Sequence, residues 1–188
     1  MLKRISIGLK KVSTDWVTLA GLVIFLLFSA LVLPGQSAKA EKIAGEAGSP
    51  DTSFFYSTDD LYEMAGAYGE QGRKEYVRAR FTFDLIFPVV YTLFLVTAVS
   101  WSFGKAFPAD SRGQLLNLVP LLGMLFDYLE NIAASVIMLR YPAPAGVIGA
   151  LAPVFSLLKW GLIGASFGLL IIGLAAGLWK VGKRSRKN

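Results

Sequence analysis

The chain has 188 residues, 54% hydrophobic and only 17% charged, with a formal net charge of +6. Soluble domains hold about a quarter charged residues, so this deficit, together with long apolar runs, points to an integral membrane protein. Cys and His are both absent, which excludes disulfides, thiolate or imidazole metal sites and the commonest general base. No metal and no cofactor is expected. The basic residues flank apolar segments, so they read as topology determinants and not as a nucleic-acid surface.

In chain order, Lys3, Arg4, Lys10 and Lys11 precede a first apolar span at about 15–34. The small residues Ala38 and Ala40 after Pro34 also fit a signal-peptide cleavage site, although the apolar run is long for one. An outer loop, 35–80, follows. Its first part, 36–56, is rich in Ala, Gly, Ser and Lys/Glu and reads as a mobile connector. Ser57 or Thr58 is a plausible N-cap, with Leu61, Met64, Ala65 and Tyr68 at helical spacing. This predicts a short amphipathic helix over 58–68, on the outer membrane surface or over the bundle. Gly69 and Gly72 should break it, and a new helix from near Arg73 should run into the second span. Arg73, Lys74, Arg78 and Arg80 form either a solvated collar facing lipid headgroups or an anion-binding rim.

The second span is 81–103, the third about 115–139 and the fourth 146–179. A crossing needs roughly 20 residues, so the fourth must tilt or project, and Pro153 is a candidate kink. Gly161/Ala165, Gly164/Gly168 and Gly173/Gly177 are small-xxx-small pairs, read as packing within the bundle or as a homo-oligomer face. Lys105 and Arg112 lie between spans two and three, and Lys180, Lys183, Arg184, Arg186 and Lys187 follow span four. With four crossings all these cations share one side, which predicts a bacterial inner-membrane protein with both termini cytoplasmic. Trp16, Trp101 and Trp179 then fall at that interface. The expected fold is an all-α four-helix membrane bundle, a single domain of residues 1–188, with an outer loop carrying a short amphipathic helix. No internal repeat is evident, so an inverted-repeat transporter is not supported.

Polar groups interrupt the spans. Asp127, Glu130 and Asn131 stand at i, i+3 and i+4, on one face of the third helix. Counting helical rise places Glu130 about 22 Å from the inner end. Asp84 and Lys159 fall at similar depth, with Tyr91 and Asp127 somewhat deeper. Lipid-exposed charge is costly, so these groups should turn inward, with Glu130 near Asp84 or Lys159. Two readings compete: an ion-pair lock between helices, or an outward-facing polar pocket for a lipid-like ligand. Three acids against one lysine tilt the balance toward the pocket.

The segments GEQGRKEY, FTFDLIFPVVY and DYLEN resemble a pattern in uncharacterised bacterial four-pass membrane proteins over about residues 60–135; that resemblance implies no activity. Sterol-isomerase-type membrane proteins also place acids inside a helical bundle, but they use a His that this chain lacks. No nucleotide-binding, zinc-protease, hydrolase or calcium-loop motif is present. The expected function is therefore a polar site for a lipid-like ligand, with membrane lipids as partners. The alternatives are an enzyme acting on a lipidic substrate, with Asp84 or Glu130 as acid/base and Lys159 or Tyr91 as support, and a structural or assembly subunit whose acids only lock helices.

Overall fold

The structure, a computed structural model, describes residues 1–50 and 53–185. Among the described residues the secondary structure is helical, with no strand. The α-helices are α1 (Leu2–Val12), α2 (Asp15–Leu31), α3 (Leu33–Ala44), α4 (Thr58–Ala67), α5 (Gly69–Arg80), α6 (Phe83–Ala106), α7 (Val119–Arg140) and α8 (Val147–Ser185). Short 3₁₀ segments cover Gly45–Ala47 and Arg112–Leu118.

Three helical stretches are long and apolar enough to cross a membrane: Gly69–Ala106, Arg112–Arg140 and Val147–Lys183. A fourth is reached if α1 and α2, which meet at 88°, are counted as one broken span. Pro153 lies inside α8 without ending it. The window of α8 that meets the span criterion is only 11% buried, and Leu157, Ile171, Ile172 and Leu178 are exposed. In water so long an apolar face would be an association liability; against acyl chains it is the expected surface.

The segment 36–56 is not a structureless connector. Its first part belongs to α3, which starts with a proline in its first turn and ends where Gly45 takes φ 54. Pro34 presets the first helical φ, and the Gln, Ala, Lys and Glu that follow are good helix formers. Residues 51 and 52 lie outside the described residues. The expectation for 58–68 holds: α4 is capped by Ser57, which accepts from the Asp60 N–H while the Asp60 carboxylate accepts from the Ser57 N–H at 2.8 Å. Gly69, at φ 62, ends α4 as expected, since that region is open to glycine at little cost. Gly72 does not act as a breaker. It lies inside α5, where an added Cβ would stand 3.2 Å from Ile43 Cγ2, so the missing side chain lets α3 approach. A turn at residues 81–82 separates α5 from α6.

The chain divides into two compact units. The first comprises Met1–Leu26, Val90–Leu122 and Leu162–Asn188. Within it, α2 meets α6 closely: a Cβ on Gly21 would lie 3.4 Å from Phe94 Cα, and Phe25 stacks on Phe94 at 5.2 Å. Amides form its polar interior. Asn117 Nδ2 donates to Ser6 O and Ser100 Oγ, and Gln114 Nε2 donates to the carbonyls of Phe103 and Pro108.

The second unit comprises Leu27–Val89 and Gly123–Gly161. Its core joins Leu61, Met64, Ala65 and Tyr68 of the α4 region to Tyr76 of α5, Ala133, Ala134, Ile137 and Met138 of α7, and Ala152 of α8. The apolar face of α4 therefore packs on protein and not on a lipid surface. Burying a Leu or Met side chain stabilises by about 1.5–3 kcal/mol, so Leu61 and Met64 help to hold α4 in this core. Tyr62 Oη strengthens the contact by accepting from the Ala145 N–H at 2.6 Å.

Candidate functional site

The second unit encloses its own charged centre. Glu130 occupies the inward face of α7 and is 1% exposed. Its Oε2 pairs with Lys159 Nζ of α8, and its Oε1 accepts a hydrogen bond from Tyr56 Oη at 2.9 Å. Lys159 is equally enclosed, with Nζ 5.1 Å from the centre of the Trp160 ring. Three stretches of chain distant in sequence thus meet at one carboxylate. A charge-assisted bond from a phenol and an ammonium replaces the water that a lone carboxylate would need.

A second ion pair lies at the α5–α6 junction. Arg80 Nε stands 3.0 Å from Asp84 Oδ2, with the two side chains 7% and 15% exposed. The Arg80 guanidinium also covers the Tyr76 ring at 4.5 Å. The i, i+4 spacing bridges the turn at residues 81–82, so the pair ties the last turn of α5 to the first of α6.

The remaining sequence candidates are placed as follows. Asn131 is buried and donates from Nδ2 to Asp127 Oδ1 at 3.3 Å, one helical turn away, and Asp127 is half-buried. Tyr91 is buried but belongs to the first unit. Arg73 is half-buried, donates to Ala65 O at 2.9 Å and lies over the Tyr141 ring at 4.7 Å, so it packs α5 against its neighbours. Arg78 is exposed. Arg80 belongs neither to a solvated collar nor to an open rim, because it is enclosed with Asp84 and Tyr76. Glu130 meets Lys159, whereas Asp84 has Arg80 as its ion-pair partner.

Arg80 also changes the charge balance. With Arg80 buried, two cations and not Lys159 alone stand with Asp84, Glu130 and Asp127. Tyr56 had no local signal, since nothing in SFFYS marks a residue that will reach a carboxylate on α7. The Arg80–Asp84 pair could have been found from its i, i+4 spacing across a helix–span junction.

Searches against protein-family models, curated proteins and solved structures find no match to this chain. The reading of the site therefore rests on its geometry.

Outside the centre, the Asp60 carboxyl is held below its usual range, chiefly by the backbone N–H of Ser57 and then by its hydroxyl. The role of this group is confined to the α4 cap.

Proposed function

We propose that the chain is a four-span protein of the bacterial inner membrane, both termini cytoplasmic, whose outer segment is latched onto the spans by the Glu130 centre and which serves as a structural or assembly subunit. The observation that carries this is the convergence of Tyr56 and Lys159 on a carboxylate that is 1% exposed. An ionised pair this deep holds its partners in one register, because any displacement leaves a charge unpaired in a poorly hydrated place. The orientation is supported within the first unit. Asp15 at the start of α2 pairs with Lys105 at the end of α6, and Lys180 near the end of α8 reaches Lys105 O. The three basic-flanked ends thus lie together, as the distribution of Lys and Arg requires.

A second reading is the outward-facing polar site for a lipid-like ligand. Asp127 and Asn131 favour it, since this half-buried acid lies one helical turn from Glu130 and has an amide beside it. The α8 glycines 161, 164 and 168, with nothing within 4 Å of an added Cβ, are compatible with a homo-oligomer face on either reading.

The discriminating experiment compares Glu130→Gln, Lys159→Met and the double variant in detergent, by thermal unfolding and by mass spectrometry of copurified lipid. The latch requires each single variant to melt well below the wild type and the double to recover most of the loss. The ligand site requires near-normal melting with loss of a defined lipid from Glu130→Gln and Asp127→Asn. The topology is tested separately: a reporter fused after residue 188 that is active only in the periplasm would overturn it.

A further inference from the structure

The first unit contains a cavity of about 480 Å³ between the end of α6 and the last third of α8. That volume lies within the roughly 300–1,000 Å³ typical of small-molecule sites. Two glycines one turn apart shape its floor differently. A Cβ on Gly173 would collide with Ser102 Oγ, so this glycine brings α8 onto α6. A Cβ on Gly177 would meet nothing within 4 Å, so the second leaves an open depression. Leu174 and Leu178 make the walls apolar, and Trp101, Lys105 and Lys180 also line the cavity.

The mouth carries more positive than negative charge. Lys105 Nζ is 2.7 Å from Asp15 Oδ1 and lies 4.1 Å from the Trp101 ring centre. Trp101 Nε1 donates to the same carboxylate oxygen. Lys180 makes a long bond, 3.4 Å, to Lys105 O. Asp15 thus answers one of the two lining lysines, Lys105. An apolar cleft with a lysine-rich mouth and an indole at its edge has the chemistry of the headgroup boundary, where basic pockets between helices hold acidic lipid headgroups.

We propose that this cleft is a binding site for an anionic phospholipid, with the phosphate between Lys105 and Lys180 and an acyl chain laid over Gly177 between Leu174 and Leu178. The proposal rests on the membrane reading but is independent of the Glu130 centre. It assigns Gly177 a role as the space an acyl chain occupies, and Lys180 a role as the cation free to turn toward a phosphate.

The test uses the full chain in a mild neutral detergent, titrated with phosphatidylglycerol, phosphatidylcholine or glycerol 3-phosphate, with bound lipid counted by native mass spectrometry. Retention of phosphatidylglycerol over phosphatidylcholine is expected. Lys180→Gln should weaken it about fivefold, the effect of one lysine near an anionic headgroup. Gly177→Leu should abolish it while leaving the melting temperature unchanged, because the added side chain enters open space. Equal retention of the two lipids, or undiminished phosphatidylglycerol on Gly177→Leu, would overturn the site. Competition by glycerol 3-phosphate as effective as by the lipid would assign the lysines to a free phosphate and sink the acyl-chain part. A chain that stays monodisperse without detergent would instead refute the membrane reading.

Discussion

The two units each bury a polar centre, one built from charges and the other from amides. In the second unit Glu130, Lys159 and Tyr56 come from three separated stretches and are held by full charges. In the first, Gln114 and Asn117 of the 3₁₀ segment direct their NH₂ groups at carbonyls of Phe103, Pro108 and Ser6, and Ser6 Oγ returns a bond to Gln114 O at 3.0 Å. An amide is neutral whether or not its partner is present, so losing a bond there has a graded cost. A buried ion pair gains little over an apolar pair while intact but is expensive to break on one side. The charged centre therefore suits a contact that must be made in one register, and the amide centre suits ordinary packing of α1 on its neighbours.

The largest test of this contrast is Lys159→Met. It strands the Glu130 carboxylate and should cost about 3–5 kcal/mol, read as a lowered melting temperature in detergent, with Glu130→Gln added to Lys159→Met restoring most of it. Equal melting of Lys159→Met and the wild type would remove the latch. Asn117→Leu in the first unit should cost less, about 1–3 kcal/mol, with Ser100→Ala recovering only part of it, because the other partner, the Ser6 carbonyl, is backbone and cannot be replaced. Gly173→Leu should also fall at about 1–3 kcal/mol through overpacking against Ser102 and Phe103, whereas Gly177→Leu should stay within about 0.5 kcal/mol. A reversed order for these two glycines would contradict the cleft geometry.

The smallest effect belongs to the cap of α4. Ser57→Ala should cost about 1 kcal/mol, seen as faster amide exchange in the first turn of α4. The Asp60 carboxyl titrates below its usual value in the folded chain. Its contribution is therefore complete above the ordinary carboxylate range and is lost as the pH falls through the depressed folded value. The protection of amides 60–62, taken relative to their intrinsic exchange rates, should fall in acid in the wild type and show no such acid step in Asp60→Asn.

Several features were legible locally. Ser57 with Asp60, the helical spacing of Leu61, Met64, Ala65 and Tyr68, and the φ-permissive Gly69 each act over three or four residues, and the structure follows them. The apolar run lengths announced four crossings, since length and composition belong to a single segment; three helical stretches meet that criterion singly and the fourth only if α1 and α2 count as one broken span. The spacing of Asp127, Glu130 and Asn131 put them on one face of α7, and Glu130 is buried as that placement predicted.

Other features were decided between segments. Composition alone made 36–56 look mobile, yet α3 is helical and packs Ile43 against Gly72, a contact that the Gly72 position could not announce. Arg80 read as a surface cation because its neighbours in sequence are basic and exposed; its burial follows from the Tyr76 ring and the Asp84 carboxylate that the α5–α6 turn brings to it. Tyr56 and Lys159 carry no mutual signal along the chain. What the sequence by itself determined was the long apolar helices, the capped α4 and the polar face of α7, because propensity, capping and hydropathy are local. Which cation answers which acid, and which glycine is filled or open, was decided by the tertiary structure, because an ion pair or a close approach depends on where distant segments meet.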